Sequence, residues 1–143
     1  MNRINIICLG VKDIIKSRAF YEGLGFVTPN KEANPSVVFF QNGGTRLELY
    51  PLDLLAEDID AQTPPPIGTG FGGITLAFNA GSKEEADAVF ERAAAFGGKI
   101  AKPPQRAFWG GYSGYFQDLD GYYWEVAYWE GWKFDANDMI VIE

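Results

Sequence analysis

The chain has 143 residues, 47% of them hydrophobic and 22% charged, with a formal net charge of −7. That length suits one domain of ~100–200 residues, and a chain of that size buries roughly 68% of its unfolded surface, so its core needs no metal or disulfide staple. The apolar content excludes a disordered tail, and the acidic balance argues against nucleic acid while suiting a cationic or neutral small molecule.

In chain order, Ile4 to Val11 is an apolar run that reads as a strand. Asp13 follows as a plausible N-cap, Ile14 to Leu24 reads as a helix, and Gly25 is its C-terminal stop. Val37-Val38-Phe39-Phe40 is a β-rich run, Asn42-Gly43-Gly44 a hairpin signal and Thr45 to Tyr50 the return strand. Residues 57–70 read as a linker, because Pro64-Pro65-Pro66 and the glycines after it interrupt any regular element. Ile74 to Phe78 alternates as a strand. Ser82 and Glu85 form a capping box ahead of the stripe Ala86, Val89, Phe90 and Ala93, and Gly97-Gly98 ends that helix. Lys99-Ile100-Ala101 resumes extended chain, Pro103-Pro104 marks a loop and Tyr115-Phe116-Gln117 begins a strand. Asp118-Leu119-Asp120-Gly121 is a turn, and Tyr123 to Tyr128 returns from it.

The two halves repeat this order. Phe40-Gln41 precedes Leu47-Glu48-Leu49, and Phe116-Gln117 precedes Trp124-Glu125-Val126. The expected fold is α+β, with two βαβββ modules: module one over 1–56, module two over 71–130 and a tail over 131–143. A duplication at half the chain length points to pseudo-two-fold symmetry rather than to a solenoid of ~3 or more repeats.

The sequence contains no His, which removes the usual base near neutral pH, every His-dependent triad and every imidazole ligand. Cys8 is the single Cys, so an internal disulfide and a CxxC pair are excluded; inside its apolar run it reads as a buried small hydrophobe. No apolar stretch approaches the ~18 residues of a membrane span, and Met1-Asn2-Arg3-Ile4 lacks a signal-peptide pattern, so a cytoplasmic location is expected.

Two carboxylates stand inside apolar strands. Side chains alternate faces, so Glu48 and Tyr50 oppose Leu47 and Leu49, and Glu125 opposes Trp124 and Val126. Both glutamates either face solvent or point into a trough closed by the pseudo-two-fold axis, where they could share a cation, share a proton or bind a cationic ligand. The loop Arg106 to Tyr115 is the second candidate. Phe108, Trp109 and Tyr112 offer flat surface, and Arg106 offers a fork for a carboxylate; core packing and a structural ion pair are the alternatives.

Asp13-x-x-x-Ser17-x-x-Phe20-Tyr21-x-x-Leu24-Gly25-Phe26 and Asp118-x-Asp120-Gly121-x-x-Trp124-Glu125, set in paired modules, resemble the vicinal oxygen chelate superfamily. That family includes glyoxalase I, extradiol dioxygenases, fosfomycin-resistance proteins and bleomycin-binding proteins. The resemblance implies a half-open β-barrel around a cleft, and a homodimer. It also implies metal-ligand positions at Ile6, Glu48, Gly73 and Glu125, of which only the two glutamates carry a donor side chain. Zn²⁺, Ni²⁺ or Fe²⁺ needs at least three protein ligands, usually including His, so no resident cofactor is expected beyond a weakly held Mg²⁺ or Mn²⁺. Extradiol ring cleavage and glyoxalase I chemistry are argued against on the same ground.

Three functions are expected in order. The first is metal-free binding of a small organic molecule, cationic or aromatic, by Glu48, Glu125, Tyr50, Trp109 and Tyr112. The second is a lyase or isomerase with Glu125 as base and Glu48 holding a proton or a cation. The third is a non-catalytic dimeric scaffold that uses the tail. The expected partner is a small molecule, with no nucleic acid and no membrane.

Overall fold

A computed structural model describes residues 1–142. The chain divides into two compact units, Met1–Gly73 and from Ile74 onward. Among the described residues no helix is long and apolar enough to cross a membrane.

The first unit runs β1 (Ile6–Val11), α1 (Ile14–Leu24), β2 (Val38–Phe39), β3 (Arg46–Pro51) and α2 (Leu52–Ile59). Helix α1 starts where expected: the Asp13 carboxylate accepts from Lys16 N at 3.0 Å, and Gly25 ends the helix in the left-handed region at φ 108°. The sheet order is β1-β3-β2, with β1 parallel and β2 antiparallel to β3. One sheet face carries the buried Leu9, Val11, Val38, Leu47 and Leu49. The fully buried Phe20 and Tyr21 of α1 join them in this unit's core. Tyr21 holds the aromatic cluster together, with ring centroids 5.5 Å from Phe26 and 5.8 Å from Phe40.

This unit departs from the expected βαβββ order, since α1 is followed by two strands rather than three. Val27 still accepts a backbone bond from Gln41 N at 2.7 Å. Beyond it Pro29 and Pro35 lack the N–H that a ladder requires. Asn30 instead ties the segment into an irregular loop, donating to Val37 O and accepting from Glu32 N. A second departure is α2, which extends into the stretch expected as linker. It closes onto β1, where a Cβ on Gly10 would lie 2.5 Å from Leu52 Cδ1.

The second unit runs β4 (Thr75–Ala80), α3 (Lys83–Ala95), β5 (Lys99–Arg106), β6 (Tyr112–Gln117) and β7 (Tyr123–Tyr128), the full βαβββ order. The sheet order is β4-β7-β6-β5. The capping box forms: Glu85 N donates to Ser82 Oγ at 3.0 Å, and the Glu85 carboxylate accepts from Gly81 N at 2.6 Å. Ala86, Phe90 and Ala93 are buried, as are Phe116, Trp124 and Val126 of the sheet; the rings of Phe90 and Phe116 lie 6.2 Å apart.

The expected loop at Pro103-Pro104 is part of β5. An edge strand tolerates proline where no ladder bond is needed, and the pairing of β5 with β6 shifts register between Ile100 and Lys102 and again between Lys102 and Gln105. The tail folds back on itself around an isolated bridge between Phe134 and Ile140. Its turn is held by the Asp135 carboxylate, which accepts from Asn137 N and Met139 N.

Candidate functional site

Glu48 lies on β3 with its side chain on the face opposite Leu47 and Leu49, as alternation requires. Strand register places Cys8 of β1 and Phe39 of β2 beside it. Burial first, then the charge and hydrogen bonding of the neighbouring Glu48 carboxylate, push the Cys8 thiol from its ordinary 9.0 to about 11. Cys8 is thus only half-buried, a polar partner of Glu48 rather than the buried hydrophobe expected from its apolar run. Tyr50 is half-buried on the same face, two residues along. Ile6 shares that face too, but carries no donor atom and is 45% exposed.

The pairing makes a kinetic prediction. With its pKa near 11, the thiol is almost wholly protonated at pH 7 to 9, so alkylation by iodoacetamide is slow and accelerates through pH 11. Glu48→Gln removes the neighbouring charge, lowers the thiol pKa and speeds alkylation at pH 8. The linkage has a definite sign: a pKa raised on folding contributes stability below pH 9 that is lost between 9 and 11. An alkylation rate unmoved by Glu48→Gln contradicts the pairing.

Glu125 repeats the arrangement on β7. Ala77 of β4 and Tyr115 of β6 flank it in register, in the positions that Cys8 and Phe39 take around Glu48. Burial, then the charge and hydrogen bonding of the neighbouring Glu125 carboxylate, raise the Tyr115 phenol above its ordinary 10.0. Neither Glu48 nor Glu125 is ion-paired among the described residues.

The Arg106–Tyr115 segment is a hairpin. β5 ends at Arg106 and β6 begins at Tyr112, joined by a turn in which Gly110 N donates to Ala107 O at 3.0 Å. Phe108 is fully exposed at its tip, while Trp109 folds over Gly111 and stacks on Trp132 at 5.8 Å. Tyr112 pairs with Tyr128, and Gly114 between them and Phe116 pairs with Val126. Tyr112 therefore stands on the α3 face, where its hydroxyl donates to Asp87 Oδ1 at 2.7 Å. That hydrogen bond raises its phenol above the ordinary 10.0. The sequence grouped Tyr112 with Glu125; the register sets them on opposite faces of one sheet. Arg106 pairs with Tyr112 at the end of that sheet, and Gly73, at φ +80°, precedes β4 in open space.

A family model for the Glyoxalase/Bleomycin resistance protein/Dioxygenase superfamily matches residues 3–126. The chain belongs to that superfamily. Among solved structures, this glyoxalase-superfamily chain is similar to a glyoxalase-related enzyme from Fulvimarina pelagi, at 29% identity and TM-score 0.87 over 99% of both chains. It is similar to a hypothetical protein from S. aureus at 25% identity and TM-score 0.75, over 90% of this chain and 95% of that one. It is also similar to a lactoylglutathione lyase from Agrobacterium tumefaciens at 27% identity and TM-score 0.66, over 94% and 99%. No curated protein matches it.

The superfamily resemblance implies a divalent metal, and the donor set does not fit one. Among the described residues no three His, Cys, Asp or Glu side chains come together. The first-strand positions are Ile6 and Gly73, which offer no donor side chain, and a Zn²⁺-type ion needs three or four. The residues that sequence reasoning missed are Cys8 and Tyr115. Their signal lies in cross-strand register rather than in any spacing along the chain.

Proposed function

We propose that this glyoxalase-superfamily chain binds a small organic cation, planar or aromatic, without a metal, at its strand carboxylates, Glu48 of the first unit and Glu125 of the second. One observation carries the reading. Each repeat-equivalent carboxylate has an uncharged polar side chain beside it in strand register, the Cys8 thiol for Glu48 and the Tyr115 phenol for Glu125, and neither is ion-paired among the described residues. Each carboxylate also lies beside an aromatic ring, Phe39 or Tyr115, and a quaternary or aromatic ammonium uses both features.

Calorimetric titration with phenyltrimethylammonium tests the proposal. Saturable binding indifferent to EDTA is expected. Glu48→Gln and Glu125→Gln are each expected to weaken binding at the strand they alter about tenfold, roughly 1.4 kcal/mol. No binding across a panel of aromatic cations, or binding abolished by EDTA, overturns the proposal.

The Tyr115–Glu125 pair favours a second reading, a lyase or isomerase. Glu125 takes a proton from a carbon next to a carbonyl, and the adjacent phenol serves as hydrogen-bond donor. The similarity to a protein named lactoylglutathione lyase lends it support. On this reading Glu125→Gln abolishes turnover and leaves the fold intact.

A further inference from the structure

The second unit holds a cavity of about 430 Å³ on the α3 side of its sheet, the face opposite Glu125. Its cations are Lys83, in the first turn of α3, and Arg106, at the end of β5. Its aromatic surface comes from Tyr112, Tyr128 and Trp129, and Gly110 and Gly111 form the remaining wall. Glu84 and Glu130 complete the charged lining.

The two cations are not equivalent. Lys83 Nζ sits over the Tyr112 ring, 5.7 Å from its centroid, so part of its charge is already engaged. The Arg106 side chain makes no ion pair or hydrogen bond among the described residues. Its guanidinium offers a planar fork of donors to whatever enters. The amides at the start of α3 contribute little, because Ser82 and Glu85 already satisfy the cap. Two acidic side chains balance two basic ones, so the lining suits one negative charge placed at Arg106 and opposes a phosphate dianion, which would meet Glu84 and Glu130.

The walls are held in shape from outside the cavity. The Tyr112 hydroxyl is fixed by Asp87. Trp129 packs over Gly131, and its ring stands edge-on to Trp132 at 6.4 Å. Trp132 in turn stacks on Trp109 of the β5–β6 turn. The tail thereby braces both Trp129 and the turn bearing Gly110 and Gly111, which leaves a preformed slot with flat aromatic sides and one free guanidinium.

We infer that this cavity is a second ligand site, selective for a small aromatic monocarboxylate whose carboxylate is held by Arg106 and whose ring lies against Tyr112, Tyr128 and Trp129. It is independent of the cation reading, which uses the other sheet face.

Benzoate is the probe, followed by Trp fluorescence and by calorimetry on the full chain. Saturable binding in the millimolar range or tighter is expected. R106Q, at an exposed position that leaves the fold in place, is expected to weaken it at least about tenfold. R106K, which keeps the charge without the fork, falls between R106Q and the wild type. Benzyl alcohol binds more weakly than benzoate, inorganic phosphate fails to displace benzoate, and saturating phenyltrimethylammonium leaves benzoate affinity unchanged. Absence of benzoate binding, equal affinity in R106Q, displacement by phosphate or competition with the cation each overturns the inference.

Discussion

Gly114→Ala is expected to destabilise the chain by about 3 kcal/mol, the upper end of the usual overpacking range. Gly114 lies in the middle of β6, buried under both β5 and α3. A Cβ there would stand 2.5 Å from Lys102 O, 2.8 Å from Pro104 N and 2.8 Å from Phe90 Cζ. The ring could give way, but the two backbone atoms belong to the stretch of β5 where pairing already shifts register. Denaturant midpoints at unchanged m-value measure the loss. Phe90→Leu in the same chain separates the causes. Because the clash is mainly with backbone, removing the ring is expected to restore only a minor part of the stability. Full restoration would place the obstruction in the ring. Since β5 ends at Arg106, displacing it also moves the guanidinium, so benzoate binding should weaken in Gly114→Ala even under conditions where the variant is folded.

What the sequence made legible, and what it did not, follows from where each signal resides. Caps are written locally. Asp13, Gly25, Ser82 and Glu85 each act within one turn of chain, and each does in space what its neighbours along the chain suggest. The alternation that put Glu48 and Glu125 opposite their leucine and tryptophan neighbours is equally local. Helix α2 escaped because its start bears no side-chain cap; Pro51 precedes it, and no side-chain bond closes its first turn. The prolines of β5 misled because their meaning depends on whether the strand lies at an edge, which is a property of sheet order. Cys8 and Tyr115 were invisible as partners for the same reason. Cys8 meets Glu48 across forty residues of chain, and only the parallel register of β1 with β3 brings them together. Tyr112 reads in the sequence as part of a loop, where strand parity has no meaning; as the first residue of β6 it takes the face opposite Glu125.

The motif residues that carry the family resemblance turn out to build the scaffold more than the chemistry. Asp118 is buried and caps the β6–β7 turn, accepting from Asp120 N at 3.0 Å and Tyr122 N at 2.9 Å, while Gly121 adopts φ +91° there. Phe20 and Tyr21 belong to the core. Such residues identify the fold and leave the ligand open, because function sits in the side chains that the fold presents.

Tyr21→Ala is the second large effect, expected to cost about 3–5 kcal/mol as a fully buried aromatic removed from a packed core. Tyr21 is 0% exposed, and its ring meets Phe20 edge-on at 5.3 Å as well as Phe26 and Phe40. No single neighbour can move to fill the void without leaving the others. The cavity would open in the core shared with Leu49, the residue next to Glu48 on β3. Cys8 then becomes a reporter for the strand. In the wild type its alkylation is expected to be slow, because the raised thiol pKa keeps it protonated and it is partly shielded. In Tyr21→Ala, local opening of the β1–β3 pair exposes the thiol at lower free energy, so alkylation at pH 8 should accelerate in step with the stability lost. Tyr21→Phe keeps the ring but loses a buried hydroxyl that is hydrogen-bonded, so it is expected to cost about 1 kcal/mol and to move both readouts much less than Tyr21→Ala. A loss under 1 kcal/mol in Tyr21→Ala, or destabilisation with Cys8 alkylation unchanged, would show that the α1 core and the Glu48 strand are not coupled.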